Sequence, residues 1–476
     1  MKTKENVVLA LTALLCTLLF YRESWGLNIP LFAILISTAQ LFYKPQLRKN
    51  RHWLLVAVAT FVSAIAYYFT NNTSAVILFI LSVLFSSGIQ VKNSLLFFLP
   101  AHAFLNFFVA PFALSKDILE KAISEKRTVY PIRMFIIPAL LFVVFLFIYA
   151  QANDTLLDQI YAILKNINLS FIFSLILSFF IILPLIRGRI IGWMAFIENA
   201  CEKIVGFVSE ASPSENSQKL SRLMKEAMMV FVSLILLLIY FISLDGMSLF
   251  KTDQTTSLSS NLHSSIYILI FSMIMAIGVI LYYFSLPIVY HPQFKKIKIA
   301  VNVWIVLNLL LCIICLIKNN LYVEHFGLTY KRIGVYTYLI TTACALLITS
   351  YKTMVSLPNW QFIKVNSWMS FGVLILFSCI PWDIVITRNN LNHTTNPDIQ
   401  YIQALSKSAR LEYYQIALMK NNISYSEVEK IKQDILMDNY SVNRLKSHNY
   451  LSLTAEDLRI ISGYDKLKEA LYIPNK

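Results

Sequence analysis

The sequence predicts an all-α integral membrane protein: a polytopic helix bundle of about eleven spans, followed by a small C-terminal helical tail domain. The first observation is composition, because 57% of the 476 residues are hydrophobic and only 14% are charged. Soluble domains average about 45–50% apolar and about 25% charged residues. The second is a mean hydropathy of +0.62, and the third is a series of long apolar runs. A soluble core cannot bury this much apolar surface, whereas a bilayer can.

Eleven apolar runs have the composition of membrane helices, which need roughly 17–25 residues. The first two are short, and aromatic flanks such as Tyr21, Trp25 and Trp53 are expected to anchor them at the interface. Backbone in lipid must satisfy its own hydrogen bonds, so these runs are predicted to be helices. They are residues 7–21, 27–42, 53–69, 75–89, 134–150, 171–186, 228–244, 266–286, 299–317, 333–350 and 367–386.

A twelfth span is the alternative, and it concerns residues 94–114. This run is long enough, but it contains Pro100, Pro111, His102 and Asn106. With eleven spans and a cytoplasmic N-terminus, the inner loops hold 23 Lys and Arg and the outer loops hold 6. That is the asymmetry of the positive-inside rule, and twelve spans reverse it. We therefore expect this run to be re-entrant, interfacial or an extension of its neighbour.

The predicted membrane bundle occupies residues 1–387, with large inner loops at 90–133 and 187–226. From residue 388 to 476 the composition changes to balanced charge without long apolar runs, which predicts an extramembrane helical tail. An odd number of spans places this tail outside the cytoplasm. The net charge of +15 is explained by the inner loops, so no nucleic-acid partner is expected.

Within the tail, two pairs of residues have the spacing of a helix-starting capping box. They are Ser424 with Glu427, and Thr454 with Asp457. Gly463 is expected to end the last helix. Apolar residues also recur at helical spacing after the first box: Val428, Ile431 and Ile435.

The sequence offers no pattern for catalysis or for a bound cofactor or metal. Glycine-rich phosphate loops, H-E-x-x-H, G-x-S-x-G and clusters of His with carboxylates are missing from it. Cys312 and Cys315 form a C-x-x-C, but they lie in a continuous apolar stretch and are interpreted as small core residues. Span interiors contain no Lys, Arg, Asp or Glu, which argues against an ion-coupled transporter.

Two hydrophilic stretches beside late spans, residues 318–332 and 381–392, form the candidate site. Both mix aromatic, charged and amide side chains, and the eleven-span count puts both on one side of the membrane. We expect them to lie close together, with Asp383 paired to Lys331 or Arg332. The candidate interfacial polar site comprises Glu324, Tyr330, Lys331, Arg332, Asp383, Arg388 and Asn389.

Several short motifs resemble a bacterial family of multi-pass membrane proteins, the domain of unknown function 4173, related to family 4153. They are FYRESWGLN at 20–28, LHSSIYILIFS at 262–272, GLTYKRIG at 327–334, WD at 382–383, TRNNL at 387–391 and DIQYIQALS at 398–406. Ser264 and Ser265 stand where the family often has an acidic residue and a glycine. The resemblance covers residues 7 to 410 and implies a membrane fold and a bacterial inner-membrane location, without an established activity.

Three functions remain open at this point. The first is a non-enzymatic sensory, scaffolding or assembly protein, with the lipid bilayer around it and a protein partner at its inner loops or tail. The second is a transporter or channel for a neutral or lipidic substrate. The third is an interfacial lipid-modifying enzyme using residues such as Glu324, His325, Asp383 and Arg388. The weakness of every catalytic pattern favours the first.

Overall fold

A computed structural model gives the architecture of the chain. It describes residues 2–92, 98–124, 168–206, 217–248, 278–284, 293–355, 359–394, 397–419 and 425–471, with a few isolated positions between them. Throughout these ranges the chain is α-helical with short 3₁₀ turns, and no strand occurs in them. The predicted all-α class is therefore confirmed for the described part of the chain.

The chain divides into two compact units. The first comprises Met1–Tyr68, Phe79–Met194 and Asn449–Leu453. Helix α1 packs against α2 and α6, and α5 packs against α6. The helices that build this unit are α1 (Lys2–Phe20), α2 (Asn28–Tyr43), α3 (Arg51–Thr70), α4 (Thr73–Val91), α5 (Phe98–Ser124) and α6 (Leu169–Ile186). Helices α3 and α4 each belong partly to the second unit.

The second unit comprises Phe69–Leu78, Ala195–His448 and Thr454–Lys476. In it α9 packs against α8 and α10, and their apolar faces enclose a core around Phe231, Trp304 and Leu346. The further helices are α7 (Gly192–Gly206, which begins in the first unit), α8 (Ser217–Ser248), α9 (Phe294–Phe326), α10 (Tyr330–Val355), α11 (Asn359–Ser378), α12 (Trp382–His393), α13 (Ile399–Leu405), α14 (Lys407–Met419), α15 (Tyr425–Lys446) and α16 (Ala455–Ala470).

Six of the described helices are long and apolar enough to cross a membrane, or seven if the bent pair α11–α12 forms one span. In five of these six helices less than half of the most apolar window is buried, down to 11% in Leu220–Met247, whereas the window of Thr73–Val91 is 61% buried. Exposed apolar surface on this scale is typical of contact with lipid, so the chain is a membrane protein. Of the eleven predicted spans, most of 134–150 and most of 266–286 lie outside the described residues.

The last predicted span, 367–386, is not one helix in the structure. Helix α11 ends at Ser378 and α12 begins at Trp382, with a bend of 63° between them. Pro381 precedes α12 and cannot continue the hydrogen-bond ladder of α11, which accounts for the break. The run predicted as one span therefore comprises two helices, because apolar composition continues across the break and does not mark it.

Residues 98–124 form a separate helix, α5, and not an extension of α4. Its polar His102 and Asn106 are completely buried. Asn106 donates to the carbonyl of Arg189 at 3.1 Å and accepts from the Arg189 backbone N–H at 2.8 Å. The start of α5 also packs closely against α4. A Cβ added to Gly88 of α4 would lie 2.6 Å from the Leu99 carbonyl oxygen. Asn106, one of the polar residues that spoke against a full span here, thus binds the backbone of Arg189.

The tail forms a helical core, and one of its predicted landmarks is wrong. Thr454 and Asp457 form the predicted capping box at the start of α16, whereas Ser424 lies outside the described residues. Gly463 does not end α16 but lies inside it. A Cβ there would come within 2.5 Å of the Leu411 side chain, so this glycine allows α14 to pack closely. The core residues are Leu411, Tyr414, Ile431, Ile435, Val442, Ile460, Tyr464 and Leu467.

Candidate functional site

The turn between α9 and α10 is fastened to α12 by one buried amide, Asn390. Its Oδ1 accepts from the backbone N–H of Leu328 at 2.5 Å, and its Nδ2 donates to the Leu328 carbonyl at 2.9 Å. An amide side chain offers one acceptor and two donors, so it can pair both backbone groups of a single residue. Asn390 is 3% exposed. We call this pair of hydrogen bonds the turn clamp.

Gly327 makes the turn clamp sterically feasible. It ends α9 with φ of +79°, a left-handed conformation that glycine adopts without a Cβ penalty. A Cβ at this position would lie 2.8 Å from Asn390 Oδ1. The glycine of the G-L-T motif is therefore needed for a physical reason: it ends α9 in close contact with the buried amide of Asn390.

Next to the turn clamp, Asp383 accepts a hydrogen bond from the Tyr330 hydroxyl at 2.5 Å. The backbone N–H of Tyr330 donates in turn to the hydroxyl of Tyr401 in α13 at 3.1 Å. Asp383 lies in the first turn of α12, where a carboxylate is favoured by the helix dipole. The two predicted stretches thus meet at Tyr330 and Asp383.

The predicted pairing of Asp383 with Lys331 or Arg332 is wrong. Arg332 donates to the Phe326 carbonyl at 2.9 Å and lies 4.2 Å from the ring centroid of Tyr322, so it stabilises the end of α9. Lys331 and Glu324 are exposed on the surface and are not part of this contact. Helical direction explains the result, because Tyr330 and Lys331 point to different sides of α10.

Arg388 belongs to a second group, centred on Glu412 of α14. Arg388 Nε donates to Glu412 Oε1 at 2.6 Å, and Arg459 Nη2 of α16 donates to Glu412 Oε2 at 2.7 Å. The Glu412 side chain is 6% exposed, whereas those of Arg388 and Arg459 are 58% and 44% exposed. Asn389 contacts only its neighbour Asn390, at 3.4 Å, among the hydrogen bonds found for it. The carboxylate therefore joins three helices, α12, α14 and α16.

Glu456, in the first turn of α16, was not predicted from the sequence. It is 6% exposed, and its Oε2 has no hydrogen-bond partner. Burial raises the pKa of its carboxyl to about 7, with Asp383 and Asp457 adding to the rise, while Ser408 and Arg459 oppose it. A helix-start glutamate is usually a solvated residue, so neither composition nor spacing marks this one as buried.

In the first unit, the motif at residues 20–28 binds the segment Asn449–Leu453. The Glu23 carboxylate accepts from the Asn449 amide at 2.7 Å and from the Ser452 hydroxyl. The backbone N–H of Ser24 donates to Ser452 Oγ at 2.8 Å. A Cβ on Gly26 would lie 2.4 Å from the Ser452 carbonyl carbon. Only glycine permits this backbone contact, which ties the α1–α2 turn to a segment more than 400 residues later.

A neutral group of side chains closes the C-terminal end of α6 in the same unit. Gln40 and Gln90 each donate to the Leu185 carbonyl at 3.0 Å, and Ser87 donates to the Pro184 carbonyl at 3.1 Å. The last carbonyls of a helix have no partner within it, and in an apolar setting they need donors from elsewhere. We call these residues the amide cluster. The feature of the sequence that could have revealed it is the presence of amide side chains, Gln40 and Gln90, in or beside apolar runs.

Among the described residues, no group of three His, Cys, Asp or Glu side chains could hold a metal ion. Cys312 and Cys315 are 5% and 4% exposed within the apolar core of α8, α9 and α10, so their interpretation as core residues is confirmed.

Comparison with known proteins identifies the family. No curated protein and no solved structure matches the chain. A family model described as a domain of unknown function, DUF4153, matches residues 9–416. That range runs from within α1 through most of α14. It contains the turn clamp, the Glu412 group apart from Arg459, and the amide cluster. The chain therefore belongs to the family of domain of unknown function 4153.

Proposed function

We propose that this protein is a membrane-embedded scaffold or sensor whose helical tail presents a partner surface coupled to the membrane helices. The observation that carries the proposal is the turn clamp, which fixes the α9–α10 turn to α12. The Tyr330–Asp383 hydrogen bond adds a second tie between α10 and α12. From α12 the Arg388–Glu412 ion pair continues into the tail helix α14. A change in the tail would alter contacts that hold a turn between two apolar helices. Catalysis has no comparable support.

The partner surface is the outward face of α15. Leu436, Met437 and Tyr440 are 50%, 73% and 83% exposed on it, although the tail lacks an apolar run that could enter lipid. Exposed apolar residues grouped on one helix face are characteristic of protein-binding surfaces. Beneath them Ile431 and Ile435 anchor the helix in the tail core, so the face is presented on a packed element.

We further propose that the protein lies in the bacterial inner membrane with eleven spans, a cytoplasmic N-terminus and an external tail. Two contacts support this side for the tail. The α1–α2 turn, external if the N-terminus is inside, binds Asn449–Leu453. The α9–α10 turn, also external on the eleven-span count, binds Asn390 and Tyr401. We also propose that the chain is related to the family of domain of unknown function 4173, which its short motifs resemble.

Site-specific photo-crosslinking in cells tests the partner surface. A photoreactive phenylalanine analogue at Tyr440 is expected to give a discrete protein adduct. The same analogue at Lys466, exposed on the neighbouring helix α16, serves as the control and is expected to give none. No adduct at Tyr440, or equal adducts at both positions, would contradict the scaffold proposal.

A further inference from the structure

An open groove of about 610 Å³ lies between the start of α9 and the end of α10. Its walls are mostly apolar, formed by Ile299, Val303 and Val306 of α9 and by Met354 of α10. These four side chains are 58%, 45%, 63% and 64% exposed. At one end of the groove stand Lys295 and Lys298. The groove thus has a basic end, formed by Lys295 and Lys298, which we call its mouth, and an apolar part, formed by the other four residues, which we call its channel.

The spacing of these residues makes the groove a continuous stripe along α9. Positions 295, 299, 303 and 306 recur every three or four residues, so they share one helix face. At 1.5 Å per residue, the stripe from Lys295 to Val306 extends for about 16 Å. This length suits an extended hydrocarbon chain, and its direction runs from charge to apolar surface.

The polar wall of the groove is internally satisfied and does not compete for an apolar occupant. Asn302 donates to the Lys298 carbonyl at 2.8 Å and to Thr353 Oγ1 at 3.2 Å, and it accepts from the Ser350 hydroxyl at 2.5 Å. The Lys298 ammonium donates to the Met354 carbonyl at 3.2 Å, which holds its charge over the groove mouth. Lys295 is exposed.

We infer that this groove binds an anionic phospholipid. The phosphate would contact Lys295 and Lys298, and one acyl chain would lie along Ile299, Val303 and Val306. Charge complementarity selects the headgroup, because two ammonium groups at the edge of an apolar helix attract acidic lipid. A zwitterionic lipid offers the same chain without net charge. On the eleven-span count the groove opens in the cytoplasmic leaflet, where anionic lipids attract basic segments.

Native mass spectrometry of the full chain with added lipid tests this inference. Phosphatidylglycerol is expected to bind at least about tenfold more tightly than phosphatidylcholine of the same chain length, and K295Q/K298Q is expected to abolish that preference. The matched control is R48Q/K49Q, which removes two exposed charges from another predicted inner loop. Its phosphatidylglycerol preference is expected to equal that of the wild type.

V303W probes the acyl channel independently of charge. Filling the channel is expected to lower phosphatidylglycerol binding several-fold while leaving the lysines in place. Inorganic phosphate at millimolar concentration is expected not to displace the lipid. Unchanged lipid preference in K295Q/K298Q would overturn the inference, as would displacement by phosphate together with an inert V303W. Should the double variant not fold, the single K295Q and V303W variants decide.

Discussion

Two groups of polar side chains each join several helices, but with different chemistry. One is the amide cluster of the first unit, and the other is the Glu412 group of the second unit, which consists of Glu412, Arg388 and Arg459. At the end of α6, neutral amides and a hydroxyl bind orphan carbonyls. Around Glu412, a buried carboxylate binds two arginines that reach water. A charge within apolar surroundings costs several kcal/mol unless it is paired or solvated, whereas a neutral amide costs less. The position of each group relative to water therefore selects its chemistry.

The largest effect is expected at Glu456, a buried acid of the second unit that departs from this rule. Its folded pKa of about 7 lies above the ordinary value of 4.5. The folded state therefore binds more protons between these pH values, and stability falls as the pH rises from 4.5 to 7. Glu456→Gln removes the buried charge and should stabilise the tail by about 3 kcal/mol at pH 8.

Denaturant unfolding of the purified full chain at pH 8 and at pH 4.5 measures this difference, which should vanish at the lower pH. Glu469→Gln, at an exposed position on the same helix, is the control and should change little at either pH. A Glu456→Gln variant that is less stable than the wild type at pH 8 would show that the ionised carboxylate has a favourable partner.

A smaller loss is expected when the amide cluster is opened. Gln40 donates to Ser86 Oγ at 3.1 Å and to Leu185, and it accepts from Trp53 Nε1 at 3.0 Å. Hydrogen bonds between membrane helices contribute about 0.6 kcal/mol on average and at most about 1.7. Gln40→Leu should therefore destabilise the first unit by about 1–2 kcal/mol.

Thermal unfolding in lipid nanodiscs is the measurement, with Thr38→Val as the control. Thr38 is on the same helix, and its hydroxyl bonds only to its own helix, at Ile34 and Leu35. If both substitutions lower the unfolding temperature equally, the hydrogen bonds of Gln40 between helices contribute no measurable stability. The amide cluster would then not be the neutral counterpart of the Glu412 group.

The smallest change in stability is expected on removal of Arg388, the more exposed of the two arginines that bind Glu412. Arg388→Ala leaves Glu412 bound to Arg459, and the Arg388 side chain is 58% exposed. Exposed ion pairs contribute about 0–1 kcal/mol and are screened by salt. The loss measured by thermal unfolding should shrink in 1 M salt. Arg444→Ala, exposed on α15, is the control; a salt-independent loss above 2 kcal/mol at Arg388 would mean that this pair is buried in the working protein.

Apolar runs and capping boxes were predictable because they depend on residues close in sequence. Helices α3, α4, α6, α9 and α10 fall on predicted spans, and Thr454 caps α16 as its spacing predicts. Contacts between distant residues were not predictable in the same way. The sequence brought the 318–332 and 381–392 stretches together, but it could not tell that the Tyr330 hydroxyl reaches Asp383 while Arg332 turns back onto Phe326.

The residues missed by sequence reasoning share one property, which is that tertiary packing alone makes them special. Asn390 resembles any polar residue of a hydrophilic stretch until Gly327 is found beneath it. Glu412 and Glu456 look like solvated helix residues, and their burial comes from neighbouring helices. Gly463 was assigned to a helix end because glycine usually ends helices, yet here it makes room for Leu411.

Hydrogen–deuterium exchange of Asn390→Ala in lipid nanodiscs tests the central claim most directly. The substitution leaves two buried backbone groups of Leu328 unpaired, each costing about 1–3 kcal/mol. We predict that the α9–α10 turn and helices α13 and α14 lose protection together, whereas Asn389→Ala leaves both unchanged. If the turn is deprotected in Asn390→Ala while α13 and α14 keep wild-type protection, the tail is not coupled to the membrane helices through the turn clamp.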